Sequence, residues 1–225
     1  MKYLLSLLLA TTLSVQANQT TINSIEQAAM TLNSTELASL ANENSGYEQA
    51  LANYRLSITQ NLQGLSAQAN TRLDLAIKAL ETLTKQQPTD DEAWVLLAQV
   101  YGLKIAYQPM QAMLFGPKAE QAINQGLALN NENPRAYLVK GISAFNTPSL
   151  FGGSKSAALK ALNRSIALYS QDASSTTWGN AEAHIWRGLT QIARENKQQA
   201  LADWHAALAI APSYSWATML LEKNQ

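Results

Sequence analysis

Apolar positions recur at three- and four-residue intervals through most of the chain, and small residues return among them at fixed places. PTDDEAWVLLAQVY from Pro88, NPRAYLVKGISAF from Asn133 and NAEAHIWRGLTQI from Asn180 each set a large residue four positions before a small one. The pairs are Trp94 with Ala98, Tyr137 with Gly141 and His184 with Gly188. Each of these segments is followed by a second one: KAEQAINQGLALN from Lys118, SAALKALNRSIAL from Ser156 and KQQALADWHAALAIAP from Lys197. In these, Ala119, Ala158 and Ala200 precede Ile123, Leu162 and Trp204 by four, and Gly126, Ser165 and Ala207 follow three later. Such spacing predicts paired amphipathic helices, the small residues letting them approach and the bulky ones filling the gap.

One further second helix lies in LAIKALETLTKQQP from Leu75, its partner falling in the longer and less regular GYEQALANYRLSITQNLQ. Upstream, INSIEQAAMTL and STELASLANE predict two short lead-in helices over residues 18–45. Residues 46–225 form the repeat domain, in which SYSWATMLLEKNQ covers the open end of the stack. The number of repeats before residue 75 stays open. All six prolines (Pro88, Pro109, Pro117, Pro134, Pro148 and Pro212) fall at predicted junctions. Thr89 and Glu92 have capping-box spacing, and Asn133-Pro134 supplies a cap with proline in the first turn. No segment alternates with period two for long enough to make a strand, so the expectation is an all-α array.

These patterns resemble the tetratricopeptide repeat (TPR), most closely in the last unit, with Ala181, His184, Arg187, Gly188, Ala200, Trp204, Ala207 and Pro212 in register. The resemblance covers roughly residues 65–222 and implies a right-handed α-α superhelix of helical hairpins. From Gly188 to Ala200 the spacing is that of the uninterrupted repeat. The unit with Gly141 and Ala158 is five residues longer and holds NTPSLFGG. The unit with Ala98 and Ala119 is nine longer and holds much of GLKIAYQPMQAMLFGP, and both insertions read as extended turns. Tyr107, Phe115, Phe145, Phe151 and Trp178 stand in or beside such turns and are expected to fold back onto the domain.

The first residues, MKYLLSLLLATTLSVQA, have a lysine, a short apolar run and a small-x-small ending, which predicts a secretory signal over residues 1–17. The run is too short to span a bilayer, so no membrane insertion is expected after cleavage. A periplasmic or otherwise exported location follows. With no cysteine the chain has no disulfide, thiolate metal site or lipid-anchor cysteine. The 16 basic and 16 acidic residues balance, which gives no basic field for nucleic acid.

Candidate chemistry is sparse. FGGSKS from Phe151 lacks the lysine directly after the last glycine and a preceding strand, both needed by a phosphate loop. Gly152 and Gly153 read instead as a corner, with Ser154 capping the next helix. Two histidines without convergent donors do not make a zinc site, and no G-x-S-x-G elbow is present. Asp203 reads as a neighbour that does not face either histidine. Neither cofactor, metal nor catalysis is expected.

The resemblance further implies that the first helix of each pair lines a concave face. Positions turned that way include Gln99, Arg135, Leu138, Ile142, Phe145, Ile185 and Leu189, apolar in the middle with Arg135 as the basic group. Either the chain's own turns or lead-in helices fill this groove, or it receives a guest. The functional expectation is a non-catalytic scaffold that holds a protein or peptide there. The alternative is a carrier for a small apolar ligand, associated with a transporter.

Overall fold

The structure, a computed structural model, describes residues 18–172 and 177–224, so the signal segment lies outside the described residues. Eleven α-helices follow one another among them, and no strand occurs. After α1 (Gln19–Met30) and α2 (Ser34–Glu43) come four antiparallel hairpins. The first pairs α3 (Gly46–Leu62) with α4 (Ser66–Gln86), and the second pairs α5 (Asp91–Tyr107) with α6 (Ala112–Leu129). The third pairs α7 (Pro134–Asn146) with α8 (Lys155–Tyr169), and the fourth α9 (Asn180–Ile192) with α10 (Lys197–Ile210). Then α11 (Ser215–Lys223) packs on α10. The hairpins stack side by side into a TPR-like superhelix.

The small residues are where the helices meet. Ala158 and Ala200 are fully buried. A Cβ added to Gly141 would stand 2.6 Å from Leu162, and one added to Gly188 would stand 2.4 Å from Nε1 of Trp204. Ser165 is buried in the slot of Gly126 and Ala207, where its Oγ donates to the Pro134 carbonyl at 2.8 Å. The large residues at the start of α5 and α7 also share a task. Trp94 Nε1 donates to the Pro88 carbonyl and Tyr137 OH to the Asn131 carbonyl, so each fastens the chain six residues upstream.

Helix starts are capped by short polar side chains: Asn18, Asn33, Asp90, Asn133 and Ser154 each accept from a backbone N–H one turn in. The Thr89–Glu92 box does not form. Asp90 is the cap, and Glu92 is drawn away to Arg135.

The nine-residue insertion also departs from expectation. It is not a long turn but extra helix: α5 runs on to Tyr107, a 3-10 turn spans Pro109–Gln111, and α6 starts at Ala112 with Pro117 inside it. Lengthening both helices pairs more backbone groups than a loop would, and Pro117, little more than a turn in, forfeits only one helical bond.

The shorter insertion is a corner. Gly152 adopts φ +90°, and a Cβ on Gly153 would collide with the Thr147 carbonyl. Because α7 precedes this corner, no strand aims it at a phosphate. Four of the five turn aromatics fold back: Phe115 lies against Tyr101, Phe145 against Trp186, Tyr107 OH on the Ser57 carbonyl, and Trp178 Nε1 on Tyr47 OH. Phe151 does not; it is 76% exposed.

Candidate functional site

The inner face is lined by the first helices α3, α5, α7 and α9, and α1 lies across it. Ile22 and Ile25 of α1 are completely buried in the core shared with α3, α5 and α7. At one end of α1, Gln19 exchanges two hydrogen bonds with the Thr177 backbone. At the other end Gln27 donates to Ser213 Oγ, and the Met30 carbonyl accepts from Ser215 Oγ. Thus α1 packs on α3 of the first hairpin and is fastened at both ends to the connections around the last.

Its midpoint is fixed by charge. Arg55 of α3 donates from Nε and Nη2 to Glu26 at 2.8 and 2.9 Å, and from Nη2 to Glu182 of α9 at 3.0 Å. Its guanidinium also lies over the rings of Tyr54 and Trp178. Burial raises the Glu26 carboxyl above its usual range, against the opposing pull of Arg55.

A second network links neighbouring hairpins. Arg135 forks onto Glu92 from Nε and Nη2, with contacts of 2.7–2.9 Å, and reaches Asp172 from Nη1 at 2.7 Å. Asn133 ties in through Nδ2 to Asp91 and Glu92. Burial pushes the Glu92 carboxyl up to about 7, outweighing the Arg135 charge and hydrogen bonds that pull it down.

The expected concave residues therefore divide. Gln99 is buried and donates to Tyr54 OH at 2.7 Å. Arg135 is 1% exposed within its carboxylates, and Leu138 and Ile185 are fully buried. These four face the interior of the protein. Ile142, Phe145 and Leu189 remain half-buried, and residues beyond the expected set join them. Phe145 meets Trp186 edge-on at 5.6 Å, and Trp186 meets Trp216 of α11 in the same way. Met30, Leu189, Ile192 and Trp216 pack on the last hairpin's core. Among the described residues nothing accepts from the buried Nε1 of Trp186. The signal for Trp186 was its place three residues before Leu189, on the same helical face.

Asp203 is corrected: it does face His184, whose Nδ1 lies 3.6 Å from its carboxylate, while Arg187 holds it with two hydrogen bonds. His184 thus packs between helices, and His205 is exposed. Among the described residues no cluster of donors could hold a metal, and no helix is long and apolar enough to cross a membrane. Two shallow depressions lie off the inner face, one along α6 and one between α10 and α11.

No family model and no curated protein matches the chain. Solved structures do. TTC0263, a thermophilic TPR protein of Thermus thermophilus, is 17% identical over 90% of this chain and 98% of its own, with a TM-score of 0.57. The HusA haemophore of Porphyromonas gingivalis is 19% identical over 78% and 91%, TM-score 0.47. MamA is 20% identical over 72% and 86%, TM-score 0.43. The likeness to TTC0263 is one of fold: this is a TPR-like helical repeat protein.

Proposed function

We propose that the protein is an exported, non-catalytic scaffold that binds a protein or peptide through the part of its inner face that α1 leaves uncovered. The observation that carries this is the half-buried apolar strip of Ile142, Phe145, Trp186 and Leu189, with Met30 and Trp216 beside it. Aromatic and aliphatic anchors in a row are what an apolar segment of a partner chain engages. Ile22 and Ile25 of α1 are completely buried in the main core, which favours a peptide along the strip over a small apolar ligand beneath α1. Export is supported by the N-terminal signal pattern.

The test is photocrosslinking in cells, with benzoylphenylalanine in place of Phe145 or Leu189 and, as control, in place of the exposed Lys160 on α8. A discrete heavier adduct from the first two positions and none from the third is expected. Helical, exported variants that yield no adduct at either inner position would overturn the reading. Fractionation of the same cells decides export directly.

A further inference from the structure

The turns that join the two helices of each hairpin all emerge at one edge of the stack. Gln108 Nε2 donates to Asn70 Oδ1 at 2.9 Å and so ties the second of these turns to the first turns of α4, while the neighbouring starts of α5 and α7, joined by Glu92 and Arg135, keep those helices parallel. Three of the four turns carry large apolar side chains in water. Leu62 is 65% exposed, Met110 97%, Met113 93%, Leu150 87% and Phe151 76%. Around them residues 56–71, 105–117 and 141–154 contain no charged residue of either sign. The fourth turn, α9 to α10, differs, with Arg194, Glu195 and Lys197 exposed.

Of the cations that border the uncharged stretches, Lys140 stands exposed on α7, and four others are engaged. Arg72 donates to Asn53, Lys104 is buried on Asp74, Lys118 reaches Glu81, and Lys155 bonds the Phe145 carbonyl while sitting 3.5 Å from that ring's centre.

We propose that this edge docks on the interface of a zwitterionic lipid bilayer, with the tips at Met110, Met113, Leu150 and Phe151 entering it and the helices standing off the surface. The features fit that medium together. The tips are separate convex knobs, for each of which a protein partner would have to build its own socket, whereas a bilayer accepts any number at a common level. Protein interfaces ordinarily keep a polar, partly charged rim that steers encounter, but lipid excludes both signs, and both signs are missing here. No basic ring reaches for anionic headgroups, so attachment rests on apolar area. The inference is independent of what the inner strip binds.

The cysteine-free chain permits a clean measurement. Protein purified as it accumulates in cells carries a single cysteine, Phe151→Cys, Met113→Cys or Arg194→Cys, labelled with a polarity-sensitive fluorophore and mixed with phosphatidylcholine vesicles. Emission should rise and shift to the blue at 113 and 151 but not at 194, equally at low and high salt. The fourfold variant Met110→Ser, Met113→Ser, Leu150→Ser, Phe151→Ser, its helicity unchanged, should float with vesicles about tenfold less. Four results would each overturn the proposal: silence at 113 and 151, response at 194 alone, binding only to anionic vesicles, or a dimer dissolved by the fourfold change with no vesicle binding.

Discussion

The two edges of the stack are built from opposite materials. At the edge where the first helices begin, Asp91, Glu92 and Glu182 occupy first turns, where a helix favours negative charge. Arginines from other units then bind the two glutamates, Arg135 joining α7 to α5 and Arg55 joining α3 to α9 and to α1, while Asn133 holds Asp91. At the opposite edge three successive turns have no charge and end in exposed Leu, Met and Phe, with Gln108 to Asn70 as a polar link between units. Exposed apolar groups on the charged edge, Leu129 and Ile210, stand singly. The contrast teaches that cohesion between units is concentrated where the charges are. The exposed tips of the turn edge, Met110, Met113, Leu150 and Phe151, stay in water instead.

The sharpest way to break this comparison is Arg135→Met. The substitution leaves Glu92 and Asp172 close together in a buried site without their common counter-charge. Loss of one partner from a buried pair costs about 3–5 kcal/mol. Urea unfolding at pH 8, where Glu92 is charged, should show a loss of that order. Adding Glu92→Leu should restore much of it, since an apolar replacement of the whole pair is tolerated. A loss under about 1 kcal/mol would show that the charged edge does not hold the units together.

Acidity tests the same edge without mutation. Glu92 titrates at about 7 in the folded protein against an ordinary 4.5. Between those values the folded state holds more protons than the unfolded one, so stability rises as pH falls from 8 towards 5. The upper bound is about 3 kcal/mol at 1.36 kcal/mol per unit. Glu26, also raised by burial, acts in the same direction. Glu81 is lowered, first by its hydrogen bond from Tyr101, so its contribution is lost only at more acid pH, as it protonates. Glu92→Gln should flatten the profile from 8 to 5, and an unchanged slope in that variant would remove Glu92 as its source.

Gly188→Ala probes the packing that both edges share. The new methyl would stand 2.4 Å from Nε1 of the fully buried Trp204, so α9 and α10 must part. Overpacking of this kind costs about 1–3 kcal/mol. Calorimetry should register it as a lower Tm, and an unaltered Tm would mean that the helices are not in contact there.

Local spacing made the hairpins legible. Ala158, Ala200, Gly141 and Gly188 repeat because each meets the neighbouring helix of its own hairpin, a contact that a short stretch of sequence encodes. The cover over the inner face was not legible to the same degree. Glu26 and Arg55 are joined to Glu182 across more than a hundred residues, and no periodicity within α1 states what its apolar side will touch. Arg135 read as the basic group of an open groove, since burial of a cation is set by partners brought from other helices. The lengthened α5 and α6 were misread as a loop because Pro109, Gly116 and Pro117 are strong turn signals, outweighed here by continuous packing of Phe115 and Ala119 on α5.

The smallest expected effect completes the contrast. Met110→Ser and Leu150→Ser remove apolar groups that already stand in water, so folding gains nothing from them. Each change should leave unfolding free energy within about 0.5 kcal/mol of the parent. The same chemistry at Leu138, fully buried, removes a core side chain and leaves a hydroxyl to be satisfied, at a cost of about 2–5 kcal/mol. If the exposed substitutions proved as damaging as the buried one, the turns would be packing against something within the folded chain. The apolar edge would then be part of the core and unable to serve as a surface.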